Sequence, residues 1–458
     1  MKISDKIYGI PFADFIAFSC ACTLYISLYV SFKTGYRFFA LLMVFCLNIS
    51  AGKKIFPLMI TGFFAAILIL FSVQNENKAF YSLIEEEKIT SIQGVIASTP
   101  VPTSTGSYSF ILNVEYAGSI DIKSSAIGKT TVYIKSEFVE KPASRKLARQ
   151  QNEAVLVEHG GRLFFSGKYH TATNSFYAEK AVFICWNNRI AKIRALMRQR
   201  LKLILLSWGE AGGLLLALLT GCREFVPVQI RDNFTRTGIA HILALSGMHM
   251  SIIGDFVRKL FKPGLGRQVS SILTVIAGGF FLWFAGISPS LLRAFLCLSF
   301  SVFFELIGTN VKKTTVLALS FIVQLILYSG HAVALSFLLS YTGLGGIYLF
   351  SAYFRYLYTR YLRLPEKLAE SLAVSTAAQT GILPVSILCL KQIVPVGIFT
   401  TLCVSPFISL FFILGIFGIM FSLVSESLGV CFSYALRIIY AIICRIIGFF
   451  SIFQPINL

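Results

Sequence analysis

The chain has 458 residues, of which 56% are hydrophobic and only 14% charged, and its mean hydropathy is +0.74. A soluble globular domain has about 25% charged residues, so this composition excludes a wholly soluble protein and fits an integral membrane protein. The 41 Lys and Arg residues outnumber the 21 Asp and Glu residues, which gives a net charge of +20.

Three apolar stretches open the chain, near residues 12–31, 37–50 and 55–73. We interpret them as transmembrane spans, so residues 1–73 form an N-terminal membrane part. The first stretch contains Asp14 and lacks the basic segment and cleavage site of a signal peptide. It is therefore expected to be retained as a span.

The segment 74–188 is polar, and turn clusters divide it into runs in which every second residue is apolar. Such alternation predicts β-strands. The predicted strands are Ile89–Ala97, Tyr108–Tyr116, Thr130–Lys135, Ala154–Val157, Arg162–Tyr169 and Phe176–Ile184. Five or six short strands predict a small OB-like β-barrel. Its 12 basic and 11 acidic residues leave it little overall electrostatic attraction for DNA.

Residues 189–210 follow as a separate segment, in which Arg189–Lys202 contains six basic residues and no acidic one. Ile190, Ile193, Leu196 and Met197 recur there at helical spacing. We interpret the segment as a basic amphipathic helix on the membrane surface, against anionic lipid head groups. Direct contact with nucleic acid is the alternative.

Residues 211–458 are predominantly apolar and form a second membrane domain. Clear spans lie near 268–286, 290–307, 314–329, 371–390, 394–421 and 430–450. The less regular segments 211–221, 238–257 and 333–354 contain Gly, Ser, His or Pro, which is typical of broken or re-entrant helices buried in protein.

Basic clusters between these spans give an orientation. They are Arg258, Lys259, Lys262 and Arg267; then Lys312 and Lys313; then Arg355, Arg360, Arg363 and Lys367. Two crossings separate each cluster from the next, so all three are expected on one side, and the positive-inside rule makes that side cytoplasmic. Three opening spans with the amino terminus inside would place residues 74–188 outside the cytoplasm. The basic segment Arg189–Lys202 argues against this placement unless it lies along the outer surface.

Polar and ionisable residues within apolar segments are functional candidates because they are costly in a bilayer. The densest set lies between Thr237 and His249. On a continuous helix, His249 would lie one turn from Ser246 and about 80° around from His241, so both histidines could face one polar path. Gly247 would allow close backbone approach. The alternative is that both histidines are hydrogen-bonded inside the bundle.

A second set surrounds Pro289, which suits the first turn of a helix with Ser288 as its cap. Arg293 then falls one turn inside the bilayer, where it either reaches the interface or points inward. Glu305 lies about 18 Å further along the helix, so its partner must come from another element. Ser340, Gln379 and Thr401 are further candidates.

No metal, cofactor or catalytic residue is predicted. The ten cysteines show no CxxC or Cys/His spacing, and the two nearby histidines have no third ligand close in sequence.

The segment His241–His249, which has the sequence His-Ile-Leu-Ala-Leu-Ser-Gly-Met-His, closely resembles the His-Leu-Leu-Ala-Val-Ser-Gly-Leu-His motif of the competence protein ComEC family. Ser288–Ala294 is similar to the family's Pro-Ser-x-x-Arg-Ala element, and Leu335–Tyr341 resembles its Ser-Phe-x-Leu-Ser-Phe segment. The resemblance covers roughly residues 211–420.

This resemblance implies a channel in the bacterial inner membrane that passes single-stranded DNA into the cytoplasm during natural transformation. It also implies that an extracytoplasmic OB-like domain precedes the channel. The residues expected to line or shape the path are His241, Ser246, Gly247, His249 and Arg293.

The sequence also departs from the family. Many members have a metallo-β-lactamase-like domain with a His-x-His-x-Asp-His cluster, whereas no histidine here follows His331. Thr401 stands where Asn is usual before Pro406. We therefore expect no nuclease activity in this polypeptide, and a separate nuclease or DNA receptor as partner, besides membrane lipid and a second copy of the chain. A transporter for a smaller solute and a scaffold that recruits a nuclease remain alternatives.

Overall fold

The structure is a computed structural model that describes residues 11–29, 60–69, 81–103, 106–119, 123–138, 157–453 and 455–457. The chain divides into two compact units. The membrane unit comprises Met1–Glu76, Val228–Ile413 and Ile439–Leu458, and the sheet unit comprises Asn77–Pro227 and Leu414–Ile438.

Two of the described helices precede the sheet, and the others follow it. They are α1 (Pro11–Tyr29), α2 (Ile60–Ile69), α3 (Arg189–Leu206), α4 (Glu210–Thr220), α5 (Val228–Arg236), α6 (Ala240–Leu243), α7 (Gly247–Ala285), α8 (Pro289–Ile307), α9 (Lys313–Leu327), α10 (Leu335–Arg360), α11 (Glu366–Val385), α12 (Gly397–Val424) and α13 (Glu426–Phe450). A π-helical turn, Ser386–Leu390, extends α11.

Six helices of the described part, namely α7, α8, α10, α11, α12 and α13, are long and apolar enough to cross a membrane. The protein is therefore a multi-pass helical membrane protein, as the composition predicts. Helices α1 and α2 fall in the first and third opening stretches, and the second stretch, 37–50, lies outside the described residues. Helix α9, also predicted as a span, has only 15 residues.

Helix α7 reverses direction at Gly266, whose φ of 77° and ψ of 177° lie outside the helical region. Glycine tolerates this positive φ because it has no Cβ. The two halves then pack against each other: Gly254 lies beside Thr274, whose Oγ1 is 3.5 Å from the Gly254 carbonyl oxygen. The basic residues Arg258 and Arg267 flank the reversal, where the sequence predicts a loop.

The helices of the membrane unit alternate in direction around α8. Gln324, near the end of α9, donates to the carbonyl of Pro289 at the start of α8, with a distance of 3.0 Å. The opposite end of the membrane unit therefore holds the end of α8, the start of α9, the end of α10 and the reversal of α7. We call this end, which carries all three basic clusters, the basic end of the membrane unit.

The described residues of the sheet unit form seven strands: β1 (Tyr81–Ser82), β2 (Ser91–Ile96), β3 (Val101–Pro102), β4 (Ser107–Gly118), β5 (Lys123–Lys135), β6 (Gly161–His170) and β7 (Ser175–Trp186). Strands β2, β4, β5, β7 and β6 pair in that order, and β6 also pairs with β2. All these pairings are antiparallel except that of β5 with β7, which is parallel. A short pair, β8 (Gln392–Ile393) with β9 (Ile456–Asn457), belongs to the membrane unit.

The five long strands match five of the six predicted ones, because their alternate residues are buried as the sequence pattern requires. Ile92, Leu112, Val132 and Phe165 are each at most 1% exposed and belong to one core. Of the sixth predicted strand, only Val157 lies within the described residues, and it is not in a strand.

Candidate functional site

The start of α7 is shaped by the Ser-Gly-Met-His sequence. Ser246 occupies the N-cap position, with φ of −129° and ψ of 168°. Its backbone N–H donates to Nδ1 of His249, with a distance of 3.2 Å, and its Oγ lies 3.2 Å from the same nitrogen. This is a capping box in which histidine takes the place usually held by Glu or Gln.

The tautomer of His249 follows from this cap. Because Nδ1 accepts from the Ser246 backbone, the proton of the neutral ring is on Nε2. His249 is fully buried, and its ring centroid lies 4.9 Å from that of Phe412. Nε2 is buried without a hydrogen-bond partner among the described residues. Its N–H group can therefore donate to a ligand or a water molecule.

His241 and His249 do not share one helix, so the common face that a continuous helix would give them is absent. Helix α6 ends at Leu243, and Ala244 is extended, with φ of −82° and ψ of 147°. His241 is exposed, whereas His249 is buried. The small residues between them allow the chain to leave one helix and enter the next, as a broken segment requires.

Arg293 points into the protein rather than toward the interface, and it is only 9% exposed. Its Nη1 donates to the carbonyl of Ser340 at 2.9 Å, and its guanidinium carbon lies 6.0 Å from the ring centroid of Tyr341. A Cβ at Gly247 would lie 3.0 Å from Nη2 of Arg293, so only glycine permits this approach without displacement.

The starts of α7 and α8 meet at this arginine. Ser290 Oγ donates to the carbonyl of Leu245 at 2.8 Å, which joins the first turn of α8 to the residue before the N-cap of α7. Pro289 holds the first helical position and Ser288 the N-cap position, as predicted, although the Ser288 side chain makes no cap hydrogen bond.

Four buried polar atoms of this region have no hydrogen-bond partner in the described part of the chain. They are His249 Nε2, Ser288 Oγ, Arg293 Nε and Ser340 Oγ. Buried polar groups are normally satisfied, and each exception needs an explanation such as a ligand or an ordered water. We call Ser246, Gly247, His249, Arg293 and Ser340 the arginine cluster.

A fully buried glutamine beside the cluster was missed by the sequence reasoning. Gln324 donates to the Pro289 carbonyl at 3.0 Å and lies 3.1 Å from Nδ1 of His331, and its Oε1 accepts from the Tyr341 hydroxyl at 2.9 Å. An amide within an otherwise apolar helix is costly unless it is paired. The position of Gln324 in an apolar stretch could therefore have marked it as a candidate. Gln324 holds the starts of α8 and α10 in position around Arg293.

The other predicted residues lie elsewhere in the membrane unit. Glu305, at the basic end, accepts from Arg267 Nε at 2.5 Å, from Arg258 at 3.3 Å and from the Ser271 hydroxyl at 3.3 Å. Its partners therefore come from α7, as its helix position requires. Gln379 lies beside Gly397, and Thr401 is half-buried in α12. Among the described residues, no group of three His, Cys, Asp or Glu side chains could hold a metal.

The arginine cluster lies within a segment that matches a known family. The family model described as competence protein matches residues 218–457, which is more than half of the chain. The chain belongs to the competence protein family. The resemblance in its motifs is thereby confirmed.

Two curated relatives of this competence protein match parts of it. ComE operon protein 3 of Bacillus subtilis (strain 168) is 26% identical over 222 residues, which are 48% of this chain and 28% of that protein. The uncharacterized protein YcaI of Escherichia coli (strain K12) is 30% identical over 93 residues, 19% of this chain and 12% of that protein. The chain thus spans less than a third of the length of these relatives. No solved structure matches it.

The basic helix α3 precedes the family match, and three of its cations face inward. Glu158 is 2% exposed; its Oε1 lies 2.5 Å from Lys202 Nζ and its Oε2 lies 3.9 Å from Arg198 Nε. Arg194 Nη1 lies 3.2 Å from Nδ1 of His159. Burial alone would raise the pKa of the Glu158 carboxyl, but the charges of Lys202 and Arg198 outweigh it and hold that pKa below its usual value.

The opposite face of α3 is exposed and apolar. Its large side chains are between 40% and 61% exposed: Ile190, Ile193, Leu196, Met197 and Leu203. The basic residues Arg189, Lys192 and Arg200 are exposed as well. At the end of this helix, Trp208 is buried, and its carbonyl lies 3.4 Å from Arg437 Nε of the long apolar helix α13.

Two tyrosines stack on the outer surface of the sheet. The rings of Tyr133 on β5 and Tyr177 on β7 lie 5.1 Å apart with an interplanar angle of 15°, and His170 packs edge-on against Tyr177 at 4.9 Å. The exposed Lys168 is the cross-strand neighbour of Tyr177. We call Tyr133, Tyr177 and Lys168 the tyrosine platform.

Proposed function

We propose that this protein conducts a single strand of DNA across the bacterial inner membrane during competence. Membership of the competence protein family supports a role in DNA uptake. The observation that carries the proposal is the buried cation of Arg293, held where the N-termini of α7 and α8 meet. Helix N-termini attract anions, and a fixed guanidinium beside two of them favours phosphate strongly.

The hydrogen-bond donors of the arginine cluster and of the neighbouring Ser288 suit the same ligand. Arg293 Nε, the Nε2–H of His249 and the hydroxyls of Ser288 and Ser340 are all donors without partners in the described residues. A DNA phosphodiester presents two unesterified oxygens that accept such bonds. Passing one phosphate after another to these donors would replace the hydration that the strand loses in the membrane.

The cluster is closed in this conformation, since His249 is fully buried and Arg293 nearly so. Strand passage therefore requires the first turns of α7 and α8 to separate. Gly247 lies so near the Arg293 guanidinium that a Cβ there would be 3.0 Å from Nη2, so we propose that Gly247 forms the closing contact of the gate.

We propose further that the sheet unit is a closed OB-like barrel outside the cytoplasm that guides the strand. The ring of pairings among the five long strands, with its single parallel pair, supports an OB-like arrangement. The bases of the strand would stack on the rings of the tyrosine platform, with Lys168 beside them. Proteins that bind single strands without sequence preference combine aromatic stacking and positive charge in this way. Helix α3 would rest on anionic lipid through its exposed apolar and basic face.

Removal of the Arg293 charge tests the proposal. In cells lacking the gene, we expect the variant Arg293→Gln to restore less than a tenth of the DNA uptake that the wild type restores, and Arg293→Lys to restore an intermediate amount because it keeps the charge. Arg355→Gln removes an exposed arginine from α10 and should leave uptake unchanged. Full uptake by Arg293→Gln at normal membrane abundance would contradict the proposal.

A further inference from the structure

A half-open cavity of about 520 Å³ lies at the basic end of the membrane unit and reaches along α8 as far as Cys297, one turn after Arg293. Its wall is formed by residues from α7, α8, α9 and α10 and by the loop 308–311. The volume falls within the range of about 300–1,000 Å³ that is typical of small-molecule sites. The cavity is therefore large enough to take a polar head group.

The mouth of this cavity is cationic. Arg267 and Lys313 line it, and the side-chain amide of Asn310 adds hydrogen-bond donors. The acidic lining residue Glu305 is already bound by both Arg267 and Arg258. Two cations beside one carboxylate leave one positive charge, and the exposed Lys313 adds a second.

The remainder of the wall is apolar. Phe304, Leu306 and Val316 line the cavity beside its polar residues. On the same last turns of α8, Phe303 and Ile307 are 54% and 58% exposed, as expected for a helix that faces acyl chains. A ligand that fits must be anionic at one end and apolar at the other.

We propose that the cavity binds the head group of an anionic phospholipid, with the phosphate held by Lys313 and Arg267. Basic pockets between transmembrane helices at the cytoplasmic side are a known setting for anionic lipid head groups. The proposal does not depend on strand transport. Phosphate also occurs in DNA and as a free ion, so the experiment must separate the three sources.

The experiment measures lipid binding to the purified full-length protein by native mass spectrometry from detergent. Phosphatidylglycerol, phosphatidylcholine, inorganic phosphate and a single-stranded oligonucleotide are added separately. We expect phosphatidylglycerol to bind more tightly than phosphatidylcholine, and Lys313→Gln to weaken phosphatidylglycerol binding about fivefold, the typical contribution of one basic residue at the surface. Lys367→Gln, an exposed lysine outside the cavity wall, should change it less than twofold.

Three outcomes would overturn the proposal. They are equal binding of the two lipids, equal effects of Lys313→Gln and Lys367→Gln, and occupation of the Lys313-dependent site by phosphate or oligonucleotide as readily as by phosphatidylglycerol. The thermal stability of each variant without added lipid shows whether it is folded, and both lysines are exposed, so their replacement should not disturb folding.

Discussion

Gly247→Ala adds one methyl group directly beside the Arg293 guanidinium in the arginine cluster. The new Cβ would lie 3.0 Å from Arg293 Nη2 and 3.6 Å from the Cβ of Ala294, so the guanidinium must move by a few tenths of an ångström. Arg293 is not free to do so without loss, because its Nη1 donates to the Ser340 carbonyl at 2.9 Å. A hydrogen bond from a charged donor contributes about 1.5–3 kcal/mol.

Two opposing effects set the expected magnitude. Alanine is favoured over glycine in a helix by about 0.5–1 kcal/mol. Partial loss of the Arg293 hydrogen bond should cost about 0.75–1.5 kcal/mol, roughly half its value. The net change in the free energy of unfolding is therefore small. If the methyl group makes the present position of Arg293 less favourable by about 1.4 kcal/mol, any step that needs this position slows about tenfold.

The assay compares DNA uptake and thermal stability in the same variants. We expect Gly247→Ala to reduce uptake about tenfold with little change in melting temperature. Gly345→Ala is the matched control, since Gly345 lies in α10 and a Cβ there would meet no atom within 4 Å. Normal uptake by Gly247→Ala, at wild-type abundance in the membrane, would refute the closing role of this contact.

Three further predictions concern the sheet unit. Glu158→Gln leaves buried cations without their carboxylate and should destabilise the unit by about 3 kcal/mol, the lower end of the range for buried pairs because Lys202 reaches solvent. Since folding lowers the pKa of Glu158, its stabilisation is complete above the ordinary carboxyl pKa and is lost as the pH falls through the folded value, which acid titration of thermal stability measures. Tyr177→Ala should weaken binding of a single-stranded oligonucleotide by about 1–3 kcal/mol, measured by fluorescence anisotropy. A photo-reactive benzoylphenylalanine at Leu196 should crosslink to phosphatidylglycerol in nanodiscs, because that side chain is 47% exposed on α3.

Each of these predictions has a matched control. Glu137→Gln removes an exposed ion pair and should change stability by less than about 1 kcal/mol. An equal effect of Glu137→Gln and Glu158→Gln would show that the buried ion pair contributes no more to stability than the exposed one. Tyr116→Ala removes a half-exposed tyrosine away from the stack, and equal loss of oligonucleotide binding there would remove the platform's role. A photo-reactive residue at Ala172 lies beyond the far end of β6, and crosslinking to lipid there but not at Leu196 would reverse the assigned face.

The sequence allowed prediction of elements whose pattern is local. The alternation of apolar and polar residues predicted β2, β4 and β6. The length of the apolar stretches predicted α8 and α13. The basic clusters were correctly expected at one end of the bundle, because each span reverses the direction of the chain.

The failures came from contacts between residues distant in sequence, or from backbone geometry that the pattern conceals. Helical spacing suggested one face for His241 and His249, but the extended backbone at Ala244 separates them. Histidine at the third helical position was not recognised as part of a capping box, since Glu or Gln is usual there. The inward turn of Arg198 depends on Glu158, forty residues earlier in the chain.

The pairing of Arg293 with the start of α7 was likewise beyond sequence reasoning. The Arg293 side chain could either snorkel to the interface or point inward, and both are compatible with a position one turn into a helix. The choice is made by Ser340 and Gln324, which belong to other helices and whose approach depends on the tertiary fold.

Our central proposal is that this protein carries DNA across the membrane through the arginine cluster. The most direct measurement follows fluorescent DNA into the cytoplasm of cells that lack the gene and are complemented with wild type or with His249→Ala at equal abundance. We predict that deletion abolishes entry, that the wild type restores it and that His249→Ala does not. Entry of DNA at the normal rate without the gene, or full restoration by His249→Ala, would contradict the account.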